Sequence, residues 1–532
     1  MKDIKLLDCT LRDGGFVNDW EFGQDDIANI FERSVSAGLD IIEVGLIDER
    51  RNFDRNRTIM PDSKSINTIF GGFDTGKSMI VGMIDYGTCS IENICDKKDS
   101  ILDGIRVIFK KKNLKEALVY CKELKDKGYE MFVQPVSITG YSDEEMIALV
   151  EMVNELMPHA MSMVDTYGLL HQSNLLHYFD LIDHHLHKDI AMGYHAHNNF
   201  QLGYSNSLAL MEKDSNRSIV VDGSAFGIGK GAGNAPLELL AMYANEHFQK
   251  AYDINQILEN IDVNIMKIYL KAPWGYSLKY YLAASNDCHP DYVKYLMEKR
   301  TLSLKSVNEI LASIQKSEKL AFNKEHIEAL YKEYQNKEIN DGDALERLKK
   351  ELAGHEILVL GPGKSMQKQA MDIQAFIAKK KPVIITINYK PVDFYSDYIF
   401  LSNAKRYVGL ATKLQQEEGT IKIIATSNVT KVSGNFEYTI DYSSLVDMNF
   451  EIIDSSLLML LRLLIKTGVE KVSLAGFDGY THAKGENYFN VAMEYAFVND
   501  YAEKLNRYTK ETLEQMATSL QIDFITKSKY TE

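Results

Sequence analysis

Short runs of apolar and β-branched residues alternate with amphipathic stretches through the first half of the chain. The runs are Ile4–Thr10, Leu39–Leu46, Met79–Asp85, Gly104–Phe109, Met131–Val136, Ala160–Asp165, Ile190–His197 and Ile219–Phe226. Segments such as Gln24–Ala37, Leu114–Lys127 and Asp143–Leu156 lie between them with helical spacing. Nearly continuous apolar runs are expected where both faces of a sheet are covered. Each gap is long enough for the crossover that parallel strands need. Eight such units predict an α/β fold, a (β/α)8 TIM barrel over residues 1–285. The rival is an open doubly wound sheet. The count of eight favours the barrel, and so do the polar residues near the strand ends: Asp8 to Asp13, Glu43, Asp85, Arg106, Gln134, Asp165, His195, His197 and Asp222. Barrel active sites sit at the C-terminal ends of the strands.

The pattern then changes. Residues 286–350 are charged and helix-prone, as in Leu304–Gln315 and Lys324–Gln335, and predict a helical bridge. Strand-like runs resume at Glu356–Leu360, Pro382–Ile387, Tyr398–Leu401, Ile421–Ala425, Phe450–Ile453 and Val472–Ala475. Residues 351–532 therefore predict a second, smaller α/β domain, doubly wound and Rossmann-like.

Composition narrows the function classes. With 45% apolar and 25% charged residues, the chain is an ordinary globular one. Its net charge of −15 argues against nucleic acid or an anionic membrane as the main partner. Cys9, Cys89, Cys95, Cys121 and Cys288 form no Cys-x-x-Cys pair, as expected of a reducing cytosol. The charged N-terminus reads as a strand and not as a signal peptide. The longest apolar run, Leu457–Ile465, is too short to span a bilayer and is interrupted by Arg462. The expectation is a cytoplasmic protein.

Three segments carry candidate chemistry. Asp8-Cys9-Thr10-Leu11-Arg12-Asp13-Gly14-Gly15 ends the first strand. Asp13 offers a hard oxygen ligand, and Arg12 a planar fork for a carboxylate or an enolate. His195 and His197, two apart near the end of the seventh strand, point the same way and can share one ion. Two histidines and a carboxylate leave coordination positions open for substrate. After the eighth strand, Gly227–Glu238 is a glycine-rich loop running into a helix. Asn234 in it offers an amide oxygen to the metal or a helix cap. Each segment alone has a bland counterpart: half-buried strand histidines, a surface turn, a plain loop. Their joint placement on strands that adjoin in a closed barrel favours ligation.

Together the three segments resemble the DRE-TIM metallolyase superfamily, which includes 4-hydroxy-2-oxovalerate aldolases, 3-hydroxy-3-methylglutaryl-CoA lyases and isopropylmalate and homocitrate synthases. Gly231-Ala232-Gly233-Asn234-Ala235-Pro236-Leu237-Glu238 is most similar to the 4-hydroxy-2-oxovalerate aldolases. The resemblance covers roughly residues 1–285. It implies a lyase that works through Mn2+ or Mg2+ held by Asp13, His195 and His197, with Asn234 as a further ligand. It implies that Arg12 stabilises a pyruvate-type enolate, that Thr166 and His195 lie against the substrate, and that a 2-keto acid and an aldehyde are the reactants. One departure matters: Phe16 stands where the aldolases carry a histidine that moves the proton. Tyr276, His289 and Tyr141 are replacement candidates near loop ends, and Asp85 and Glu43 are others. The Glu-Gln that follows Arg-Asp-Gly in the synthases is also missing. An acyl-CoA-dependent acyltransferase and a metal-binding barrel without catalysis are the competing readings. Barrels of this kind often self-associate, though no residue points to it.

In the second domain, Gly361-Pro362-Gly363-Lys364-Ser365 lies between a predicted strand and a helix, a phosphate-binding arrangement in principle. It lacks the spacing of a P-loop and the third glycine of the dinucleotide fingerprint. Gly361, Gly363, Lys364 and Ser365 are therefore read as a phosphate site for a nucleotide or sugar nucleotide, beside the alternative of a plain turn.

Overall fold

The computed structural model describes residues 3–299, 302–335, 338–415, 420–429, 436–447 and 455–531. The chain divides into two compact units, Met1–Pro290 and Asp291–Glu532.

The strands of the first unit are β1 (Ile4–Asp8), β2 (Ile41–Ile47), β3 (Ile59–Met60), β4 (Met79–Asp85), β5 (Gly104–Phe109), β6 (Glu130–Pro135), β7 (Ala160–Asp165), β8 (Ala191–Ala196) and β9 (Ile219–Gly223). They lie in the order β1-β9-β8-β7-β6-β5-β4-β2-β3, and β1 also pairs with β2. That last pairing closes a parallel barrel of eight strands, and the two-residue β3 hangs on the edge of β2. Helices cover its outside, and the main core lies between them and the outward side chains of the strands. The sequence places the eight barrel strands to within a few residues but does not announce β3.

The inward side chains form layers, because alternate residues of a strand face the same way. The lowest layer is apolar: Leu7, Ile41, Val81, Phe132, Ala160, Ala191 and Val220. Further along, five of the eight barrel strands turn polar with Glu43, Arg106, Gln134, Ser162 and Asp222, all buried. Arg106 pairs with Glu43 at 2.9 Å and with Asp222 on the other side. Glu43 also accepts from Arg12 Nε at 2.7 Å. The Gln134 amide is satisfied with its oxygen toward Arg106, accepting from Nε at 3.2 Å and from Ser162 Oγ at 2.8 Å. Buried charges are tolerated only when paired in this way.

The second unit carries β10 (Ile357–Leu360), β11 (Val383–Ile387), β12 (Tyr398–Leu401), β13 (Lys422–Thr426), β14 (Tyr438–Ile440), β15 (Lys471–Ala475) and β16 (Gln521–Phe524). They form one parallel sheet in the order β14-β13-β12-β11-β10-β15-β16. The chain therefore winds outward from β10 in both directions, and the order reverses between β10 and β15. The apolar run read from the sequence is a core helix, Ser456–Lys466, whose leucines 457, 458, 460, 461, 463 and 464 are buried. Among the described residues no helix is long and apolar enough to cross a membrane. The sequence reading does not include β14 or β16. The first is three residues long, and the second is a polar edge strand, Gln-Ile-Asp-Phe, paired on one side only. The strand expected at residues 450–453 lies outside the described residues.

Arg106→Met strands two buried carboxylates, so it is expected to cost the first unit about 3–5 kcal/mol. Both tryptophans, Trp20 and Trp274, lie in that unit. Urea unfolding followed by tryptophan fluorescence therefore reads the barrel alone, and an unchanged midpoint would contradict the assigned role of Arg106.

Candidate metal centre

Beyond β1 the chain makes one helical turn, Thr10–Asp13. Asp8 anchors it: its carboxylate accepts from Thr10 N at 2.9 Å and from Ser34 Oγ at 2.6 Å. The N–H groups of Arg12 and Asp13 both return to Cys9 O, at 3.1 and 2.8 Å. Trp20 Nε1 caps Arg12 O at 2.8 Å. The turn swings Asp13 back over the barrel axis.

Two strands along the barrel wall from β1, alternation along β8 and its extension aims His195 and His197 inward. Their rings lie 5.0 Å apart and nearly perpendicular. His197 bridges to Asn234 in the glycine-rich loop. Asn234 Nδ2 donates to Asp13 Oδ2 at 2.7 Å, and the backbone N–H of Lys230 donates to the same oxygen at 3.1 Å. A Cβ on Gly229 would stand 2.4 Å from Asp13 Oδ2 and 2.2 Å from Asn234 Nδ2, so the loop can approach only as glycine.

Asp13, His195 and His197 each bring one ligand atom to within 4.8 Å of the others, and all three are buried. His195 Nδ1 lies 2.9 Å from Asp222 Oδ2, which turns Nε2 toward the centre. This is the carboxylate–histidine support common at metal sites. His197 Nδ1 and Asn234 Oδ1 are buried without a hydrogen-bond partner in the protein. Buried polar groups of that kind are rare unless something else satisfies them. One carboxylate, two imidazoles and an amide oxygen fit a divalent cation.

Charge points the same way. Burial raises the Asp13 carboxyl, but Arg12 and the two histidines outweigh it and hold it below the usual carboxylate range. Burial likewise opposes ionisation of Asp222, and Arg106 and His195 overcome it. Burial pushes the His197 imidazole down to about 3, against the pull of Asp13. A neutral imidazole is the form that binds metal. The carboxylates Asp13, Glu43 and Asp222 outnumber the guanidiniums Arg12 and Arg106 by one. A bound cation would balance the excess.

Other sequence-predicted residues have different surroundings. Thr166 Oγ1 accepts from Ser137 N at 2.8 Å. Tyr276 is 59% exposed, and His289 meets the Tyr167 ring edge-on with centroids 6.4 Å apart. Tyr141 is buried, which pushes its hydroxyl up to about 12. Phe16 packs on Trp20 at 4.8 Å, and the Lys230 ammonium lies 5.3 Å from its ring centre. The sequence marks Glu43, Arg106 and Asp222 as strand-end polar residues but not as one network. It gives no signal for Lys230 over Phe16. In the second unit, the donors of the Gly361–Ser365 loop have partners inside the chain. Ser365 N donates to Asp478 Oδ2 at 2.8 Å, and Gly361 N and Gly363 N donate to Ala475 O and Gly476 O at 2.8 and 2.9 Å. Lys364 pairs with Glu486 at 2.8 Å.

Residues 88–263 match the HMGL-like family. An oxaloacetate decarboxylase from Mycobacterium tuberculosis is 22% identical over 262 residues, covering 48% of this chain and 74% of that protein. A 4-hydroxy-2-oxovalerate aldolase from Pseudoalteromonas translucida is 23% identical over 273 residues, covering 50% of this chain and 77% of the relative. Among solved structures, the N-terminal domain of a Bacteroides vulgatus protein assigned as an aldolase aligns with a TM-score of 0.49 and 24% identity, over 57% of this chain and 99% of that one.

Unfolded histidine takes up a proton below about 6.5, whereas His197 stays neutral down to about 3. In that window the folded chain binds fewer protons than the unfolded one. Stability of the metal-free protein therefore falls as the pH drops, by up to about 1.4 kcal/mol per pH unit from this group. Chemical unfolding in chelator at about pH 7 and about pH 5 is expected to show a smaller acid loss in His197→Gln than in the unaltered chain. Equal losses would mean that His197 is protonated in the folded state.

Proposed function

We propose, from the match of residues 88–263 to the HMGL-like family, that the barrel makes or breaks a carbon–carbon bond next to a 2-keto acid. The observation that carries this reading is the convergence of Asp13, His195 and His197, with the Arg12 guanidinium bound to Asp13 beside them. The two relatives named above differ in substrate, yet decarboxylation of oxaloacetate and retro-aldol cleavage of 4-hydroxy-2-oxovalerate both pass through the enolate of pyruvate. That shared species supports a 2-keto acid as the substrate class, with an aldehyde as second reactant in the aldol case.

Asp13, His195 and His197 would hold the cation, Mn2+ or Mg2+, with Asn234 Oδ1 as a further donor. When bound, the ion supplies Lewis-acid polarisation of the keto acid. Arg12 Nη2 is buried without a hydrogen-bond partner. A substrate oxygen completes it, and its charge stabilises the negative charge that grows there as the bond breaks. Glu43 holds the other edge of Arg12, and Asp222 holds His195, so both groups meet the substrate already oriented.

Phe16 cannot move a proton. We assign that task to Asp85. It ends β4 on the same inward side as Val81, and β4 stands across the closed barrel from β8. Burial raises its carboxyl, with Lys110, Arg50 and Lys230 near enough to pull it partly back. A carboxylate with a raised pKa is suited to taking a proton from the carbon next to the keto group and returning it.

The test is deuterium exchange into the methyl group of pyruvate in D2O, read by proton NMR with a catalytic amount of divalent metal. Exchange is expected to need both the metal and Asp13, and to slow about 100-fold or more in Asp85→Asn with metal binding retained. Exchange that persists in Asp13→Ala would overturn the reading. No exchange in a metal-loaded protein would favour a binding barrel, and thiol release from acetyl-CoA would favour an acyltransferase.

A further inference from the structure

The second unit has a cavity where its strand order reverses. It lies against the residues that follow β10 and β15, among them Gly363 and Asp478, and extends past Asn388 and Asn403 at the ends of β11 and β12. In doubly wound sheets the crevice outside the C-terminal strand ends at this switch point is the ligand position.

Its chemistry is specific. Among the described residues one cation faces it, Arg406 on the helix Ala404–Gln415. The guanidinium stacks on the Tyr495 ring at 4.3 Å and donates to Met493 O, so the charge is fixed in place. Around it stand the aromatic rings of Tyr480, Tyr488 and Phe477. Tyr480 and Tyr488 share a hydrogen bond, and both lie within the field of Arg406. Asn388, in a left-handed conformation at φ 55°, projects from the end of β11 and is held by Ser402 and Ser456. Flat aromatic faces and a fixed cation suit a planar base, its sugar and one anion.

The glycine turn limits how much anion fits. The amides of Gly361, Gly363 and Ser365 are taken, and the Asp478 carboxylate accepts from that of Ser365. A Cβ on Gly363 would stand 2.6 Å from Asp478 Oδ1, so no space is left between loop and carboxylate. A di- or triphosphate chain along this turn would meet the Asp478 carboxylate and three amides that are already bonded within the chain. From the cavity, its single cation and the closed turn, we propose that the second unit binds a nucleoside 5′-monophosphate group, with the phosphate on Arg406 and not on Gly361–Ser365.

The experiment is calorimetric titration of the full-length protein with AMP, GMP, CMP and UMP, and with the parent nucleosides and inorganic phosphate as separate arms. At least one monophosphate is expected to bind, with its nucleoside and phosphate each at least tenfold weaker. Arg406→Gln is expected to weaken binding at least tenfold, and Arg406→Lys less. Asn388→Asp, which adds a negative charge to the cavity, gives a second variant should Arg406→Gln fail to fold, and is expected to weaken it likewise. The proposal is overturned if none of the four saturates at millimolar concentration, if a nucleoside binds as tightly as its monophosphate, or if the folded variants bind unchanged.

Discussion

Everything at the mouth of the barrel rests on a layer of charge buried inside it. Glu43, Arg106 and Asp222 lie in the strand interior, where an unpaired ion is not tolerated. Arg106 spans the two carboxylates, Glu43 reaches up to Arg12, and Asp222 reaches up to His195. The orientations of two functional side chains are therefore set by pairing requirements below them. The layer also fixes the sign of the site. With three carboxylates against two guanidiniums, the centre holds a negative excess beside neutral imidazole, and that combination favours a divalent cation.

How legible this was in the sequence follows from how local each feature is. Strand alternation alone puts His195 and His197 on one side, and the strand count closes the barrel that brings Asp13 to them. The partners of Arg106 were not legible. Its bond to Asp222 joins residues 116 apart in sequence, and nothing in either strand specifies which charge meets which. The glycine turn of the second unit shows the same limit. Its sequence reads as a phosphate cradle, but Asp478, 113 residues after Ser365, accepts from the Ser365 amide. Short strands at the sheet edges were missed because three or four residues paired on one side carry little periodic signal.

The two units present different problems of recognition. In the barrel, Asp13, His195 and His197 converge beside the Arg12 guanidinium, and Phe16 packs on Trp20. In the second unit the cavity is aromatic, with a single fixed cation. Each site lies at the C-terminal ends of parallel strands, where the loops are free to vary without disturbing the core.

A divalent cation is expected to complete the buried charge of the barrel. Titration with Mn2+ followed by the free-ion signal in electron paramagnetic resonance tests it directly. The account predicts one tightly bound ion per chain, lost in Asp13→Asn and in His197→Gln. Failure of the intact chain to bind Mn2+, or equal binding by both variants, would contradict it.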